Sequence, residues 1–186
     1  MSVGDEVYGI RQGAFAERVA GGNFSRKPAN LSFEEAAAVP IAAITAYQAL
    51  VVHGKVQAEE RVVINGAGGG VGSFAVQIAK ALGAEVTAVT STANAEMVGG
   101  LGADSVVDYS RVDFTKSGQK YDLIVEIGGD QTIGAMCGAL TPGGRIVLVG
   151  AGRRGIGVPL RRARFTAPAS RSLNSARFGS PVSRSS

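Results

Sequence analysis

The residues best suited to chemistry lie in two short stretches, 66–72 and 90–92. The first is Gly66-Ala67-Gly68-Gly69-Gly70-Val71-Gly72, directly after the β-branched run Arg61–Asn65. The second is the hydroxyl cluster Thr90-Ser91-Thr92, at the end of the run EVTAVT. A turn nearly bare of side chains lets a phosphate approach the backbone. A helix opening from it presents unpaired N–H groups and the positive end of a dipole. Hydroxyls about 20 residues later fall where such a site meets the ribose of a dinucleotide. The alternative is a tight strand-to-helix packing turn with no ligand. A glycine cluster alone separates the two poorly; its position between strand and helix favours the ligand.

The spacing is irregular. Gly66-x-Gly68 ends on Val71, and Gly68-x-Gly70 ends on Ser73, so neither completes G-x-G-x-x-G. The best register is Ala67-x-Gly69-x-x-Gly72, which needs Ala67 to keep a negative φ. A NAD-preferring site carries a carboxylate at the end of the second strand, whereas positions 90–92 carry none. NADP(H) is therefore favoured over NAD(H), with Ser91 and Thr92 as donors to a 2′-phosphate. The competing role for these two residues is to cap the next helix.

The flanking elements position these groups. Apolar residues at Val71, Phe74, Ala75, Ile78, Ala79 and Leu82 mark one face of a helix, ended by Gly83. With the strands on either side this makes a βαβ unit, whose crossover is right-handed. Further strands are predicted at Ser105–Asp108, 121–127 and 145–149. Helices are predicted at 94–101 and 132–140. Strands alternating with helices indicate an α/β fold with a doubly wound parallel Rossmann sheet. Upstream, Ser32-Phe33-Glu34-Glu35 is a capping box. Its helix is expected to stop at Pro40, with a second helix over 41–52. Glu34, Glu35, Glu59 and Glu60 read otherwise as solvated charges.

Composition bounds the rest. The 186 residues carry a net charge of +4, but eight arginines and no acid lie beyond residue 152. Residues 1–152 hold 11 basic and 15 acidic residues, so the body is mildly acidic and the pI does not argue for nucleic acid. The richest apolar stretch, 36–52, is interrupted by Pro40, Thr45, Tyr47 and Gln48, and no signal-peptide pattern opens the chain. No membrane partner and a cytoplasmic location are expected. Catalytic zinc needs three protein ligands. The one cysteine, Cys137, and the one histidine, His53, stand in unrelated segments, so no zinc is expected.

Several motifs in order resemble the medium-chain dehydrogenase/reductase superfamily, on its zinc-independent, quinone oxidoreductase-like, alcohol dehydrogenase-like side. They are VGDEVYG (3–9), GAFAE (13–17), LSFEEAAAVPIAAITAYQAL (31–50), the glycine turn with VGSFAVQIAKALGAEV, LGAD with VDY (101–109), and LTPGGR (140–145). The resemblance covers residues 3–152 and implies three parts. Residues 1–30 would be the remnant of a GroES-like β-barrel, most of it upstream of Met1, and 31–152 the NAD(P)-binding Rossmann domain. Residues 153–186, rich in arginine and serine, resemble neither and are expected to be a disordered tail of frame-shift or truncation origin.

The resemblance also implies roles. Ala67, Gly68, Gly69, Gly70, Val71, Gly72 and Gly150 would contact the cofactor, and Tyr109 would line the adenine-ribose phosphate. Thr45 and Tyr47 would face the nicotinamide, with ordinary helix packing as the alternative for both. The family's basic residue near position 94 is Asn94 here. The activity implied is NADP(H)-dependent hydride transfer to a quinone or an activated alkene or carbonyl, weakened in this fragment by the missing barrel wall. Exposed apolar edges on such a fragment would favour a homodimer. Two rivals stand beside it. A non-catalytic nucleotide- or RNA-binding module would use the arginine-rich tail, the only part suited to nucleic acid. A methyltransferase-like Rossmann protein is opposed by the missing acid after the second strand.

Overall fold

The computed structural model describes residues 1–21, 23–129 and 131–150, and the backbone of 173–176. Two short, largely exposed strands come first, β1 (Val7–Ile10) and β2 (Asn23–Arg26), paired antiparallel. Helix α1 (Phe33–Tyr47) opens on the expected capping box. Ser32 Oγ accepts from the Glu35 N–H at 3.1 Å, and Glu35 Oε2 accepts from the Ser32 N–H at 2.8 Å.

The predicted break at Pro40 does not occur. Proline removes one helical hydrogen bond, but its φ suits a helix. The buried face formed by Ala36, Pro40, Thr45 and Ala46 holds the turns on either side in line. The helix then widens into a π-helical turn, Gln48–His53, closed by the Gly54 N–H on Ala49 O at 2.8 Å. The combined run Phe33–His53 is 21 residues, long and apolar enough to cross a membrane by length and composition alone. That corrects the expectation of an interrupted apolar stretch. Ala46, Ala49 and Leu50 on this run are fully buried, whereas Phe33, Ile41, Ile44, Tyr47 and Val52 are exposed.

The main sheet has the order β5-β4-β3-β6-β7-β8, with every pairing parallel. Its strands are β3 (Arg61–Asn65), β4 (Glu85–Thr90), β5 (Ser105–Asp108), β6 (Tyr121–Glu126), β7 (Leu140–Val149) and β8 (Leu173–Ala176). Side chains alternate across it. Val62 and Ile64 enter one core with Val86, Leu123 and Val147 beneath α2 (Gly70–Ala81). Val63 enters the other with Ile124, Ile146, Phe114 and Tyr121. Burial on both faces explains why these strands read as unbroken apolar runs.

Smaller departures concern boundaries. The helix expected over 94–101 is a 3₁₀ turn, Thr92–Asn94, followed by α3 (Ala95–Gly100). That expected over 132–140 is α4 (Ile133–Gly138), with Thr132 as its N-cap. Strand β7 begins five residues before the predicted start because Leu140 already pairs with Tyr121. Leu173–Ala176 forms a sixth strand beside β7, whose uncovered edge would offer unpaired backbone groups. The disorder predicted for the rest of 153–186, and its nucleic-acid role, lie outside the described residues.

Candidate dinucleotide site

The chain runs outward from β3 through β4 to β5, then returns to place β6 on the other side of β3. A crevice therefore opens at the carboxyl ends of β3 and β6, the place where doubly wound sheets hold ligands. Two glycine loops leave the sheet there. After β3 comes the 66–70 turn; after β6 come Gly128 and Gly129. Their backbones approach so closely that a Cβ on Gly66 would lie 3.2 Å from Gly128 N.

The glycines of the turn do different work. Gly66 carries the left-handed φ of 93°, and Ala67 is not in that region, as the register with alanine first requires. The N–H groups of Gly66 and Ala67 both donate to Val89 O, at 3.1 and 3.0 Å, which pins the turn to β4. A Cβ on Gly68 would strike Thr90 Oγ1 and Asn94 Nδ2 at 2.5 Å, and one on Gly72 would strike Gly66 O at 2.2 Å. Those two positions are bare so that the protein can pack on itself. Gly69 and Gly70 differ: the nearest atoms to an added Cβ are 3.6 and 3.8 Å away. Gly69 is the N-cap of α2, with φ −88° and ψ 170° and no side chain capping the helix. The turn is thus open beside the start of α2, whose first N–H groups have no partner within the helix. This fits a pyrophosphate.

At the neighbouring edge, Ser91 precedes the 3₁₀ turn but makes no side-chain cap, which counts against a purely structural role for it. Thr92 behaves otherwise: its hydroxyl donates to Asp108 Oδ2 at the end of β5. Asp108 also accepts from the Ser110 N–H and Oγ at 2.9 and 2.7 Å, and lies 3.6 Å from Arg111 Nε. Bonds from Thr92 and Ser110, with the charge of Arg111, hold the Asp108 carboxyl below the usual carboxylate range. Tyr109 is exposed, its N–H bound to Thr90 O at 3.1 Å, and it lines a cleft of about 470 Å³ with Asn65, Gly66, Val89, Gly128 and Gly129.

The remaining candidates are more scattered. Gly150 stands at the carboxyl end of β7 with φ 82°, and no described residue lies within 4 Å of its missing Cβ. Thr45 is buried and gives its hydroxyl to Ile41 O at 2.6 Å, whereas Tyr47 is half exposed. Helix α1 reaches the turn through Ala42, the residue nearest a Cβ on Gly70.

Four residues at this crevice are absent from the sequence-based list. Asn65 Nδ2 donates to Glu126 Oε2 at 2.8 Å, and the Gly129 N–H donates to Glu126 Oε1 at 2.5 Å. This buried bridge ties the ends of β3 and β6 and holds the Gly128-Gly129 loop beside the turn. A glycine pair directly after an apolar strand was the available signal. Among the described residues, no group of three or more His, Cys, Asp or Glu is placed to hold a metal ion.

The sheet order, the switch-point crevice and the open turn together define a Rossmann-type α/β domain. The profile of the zinc-binding dehydrogenase family matches residues 70–184, and the chain belongs to that family of medium-chain dehydrogenase/reductases. The match runs past residue 152, where the resemblance was expected to stop. Over 142 residues the chain is 44% identical to the mitochondrial NAD(P)H oxidoreductase RTN4IP1 of Danio rerio, covering 68% of this chain and 36% of that protein. It is 39% identical to a chloroplastic quinone-oxidoreductase homolog of Spinacia oleracea, covering 66% and 42%. The solved quinone oxidoreductase of Coxiella burnetii superposes with a TM-score of 0.63 at 34% identity, covering 68% of this chain and 40% of that one. The chain spans less than half the length of each of these relatives.

Proposed function

We propose that this chain is the nucleotide-binding part of an NADP(H)-preferring oxidoreductase acting on a quinone or an activated alkene or carbonyl. The observation that carries the reading is the open cradle at Gly69 and Gly70, set at the switch point between β3 and β6 and facing the start of α2. Relatives described as NAD(P)H oxidoreductase and quinone oxidoreductase support the reaction class. A bound nicotinamide would supply the hydride. The residues of this chain orient it. The turn and the first N–H groups of α2 hold the pyrophosphate, Ser91 and Tyr109 flank the adenosine side, and Gly150 leaves the β7 end open to the nicotinamide side. We read β1 and β2 as the edge of an adjoining GroES-like barrel, and a small molecule as the substrate.

Calorimetric titration with NADPH and NADH, followed by NADPH oxidation with a simple quinone, tests the proposal. Binding of NADPH in the micromolar range and tighter than NADH is expected. Ser91→Asp should weaken NADPH about tenfold relative to NADH, because a carboxylate there repels the 2′-phosphate. Tighter binding of NADH by the wild type would overturn the NADP(H) preference.

A further inference from the structure

We propose that Asp108, with Arg111 as its counter-charge, is a selectivity residue of the nucleotide site that limits the preference for a 2′-phosphate. The inference rests on the dinucleotide reading above and concerns the choice between its two ligands.

The ribose of a dinucleotide meets the end of the second strand of the βαβ unit, here β4, where NAD-preferring sites place an acid. That position is occupied by hydroxyl residues. The sheet brings an acid to it from elsewhere: β5 lies parallel to β4 with Asp108 in register with Thr90. Asp108 is 16 residues beyond Thr92, yet its Oδ2 accepts the Thr92 hydroxyl. Its side chain is only 14% exposed, whereas that of Arg111 is 75% exposed.

A 2′-phosphate accepts hydrogen bonds and donates none at full charge. To use Thr92 it must take the hydroxyl proton from Asp108 and then sit beside that carboxylate. A ribose 2′-hydroxyl meets no such conflict, since it can itself donate to a carboxylate. Arg111 acts in the opposite sense. Its guanidinium rests against the same Oδ2 on a long exposed side chain, from which it can turn to a phosphate. The missing basic residue at Asn94 is thereby replaced from the loop after β5. The two charges oppose each other, so the selectivity for NADPH is moderate.

The test compares affinities for NADPH and NADH in the wild type, Asp108→Asn and Arg111→Ala. Asparagine removes the charge and keeps one acceptor oxygen, which can stay on Ser110, while its amide N–H faces the Thr92 hydroxyl oxygen as a donor. Asp108→Asn should raise the NADPH-to-NADH affinity ratio about three- to tenfold, and Arg111→Ala should lower it by a similar factor. Arg111 is exposed enough for its variant to fold whatever happens at position 108. If the wild type binds neither dinucleotide, the site reading falls and this inference with it. If it binds both and neither variant moves the ratio by twofold, only the role of the Asp108–Arg111 pair is refuted.

Discussion

Gly69→Val is expected to leave the protein folded and to reduce dinucleotide affinity at least about 100-fold, whereas Gly72→Ala should strongly destabilise the fold. The two glycines sit three residues apart in one turn, but their surroundings differ. Gly69 has an extended backbone that any residue adopts, and only Gly66 O lies within 4 Å of an added Cβ. Valine there fills the cradle, costs about 1 kcal/mol as a poor helix cap, and puts two methyl groups where a pyrophosphate must touch backbone N–H. A steric block of that kind removes several phosphate hydrogen bonds together, each worth about 1.5–3 kcal/mol when charged. At Gly72 even one methyl meets Gly66 O at 2.2 Å and Ala67 Cα at 2.6 Å, both main-chain atoms at the root of α2. The helix must lift from β3, at a cost of about 3 kcal/mol or more. Thermal melting by circular dichroism and NADPH calorimetry separate the two effects. A folded Gly69→Val variant with wild-type affinity would place the pyrophosphate elsewhere.

Arg145→Ala should be strongly destabilising although the residue lies far from the glycine turn. The Arg145 guanidinium grips Glu60 with two bonds, Nη1 to Oε1 at 2.8 Å and Nη2 to Oε2 at 2.5 Å. It also donates to Gly54 O, to Asp122 O at 3.2 Å and to Lys55 O at 3.1 Å. One side chain on β7 thus closes the loop that connects the π-helical turn to β3. The pair is largely covered, with side-chain exposures of 16% and 21%. Removing the arginine strands a partly buried carboxylate and several carbonyls, a loss of about 3 kcal/mol. For a chain of this size that lowers the melting temperature by roughly 6–12 °C. Lysine should rescue little, because it lacks the planar fork. Burial pushes the Glu60 carboxyl up, but the Arg145 bond, the Gln57 N–H and the arginine charge outweigh it and hold the group below its ordinary value. The stabilisation from Glu60 is therefore complete above its unfolded pKa of about 4.3 and is lost as pH falls through the lower folded value. Glu60→Gln should flatten that part of the acid-denaturation curve. An Arg145→Ala variant melting within 2 °C of wild type would show the clamp to be dispensable, the threshold being about 1 kcal/mol on the same scale.

The capping box at Ser32, the helix after the glycine turn, the C-terminal Gly83 and most strand cores follow from sequence alone, because each depends on neighbours within one turn or on a repeating pattern. Strands buried on both faces leave a simple apolar signal, so the parallel α/β class was legible as well. Alternative roles for Ser91 and Thr92 could be written down but not resolved locally. The tertiary structure separated them, leaving Ser91 uncapped and giving Thr92 to Asp108. Glu60, indistinguishable in sequence from a solvated charge, became half of a clamp because its partner arrives from 85 residues away. Asn65 and Glu126 meet across 61 residues for the same reason. Pro40 obeyed long-range packing over its local tendency to stop a helix. Sheet order decides which strand ends become neighbours, and no spacing along the chain records it. Hence the glycine turn is written in one short stretch, while the charges beside it are set by which strands lie side by side.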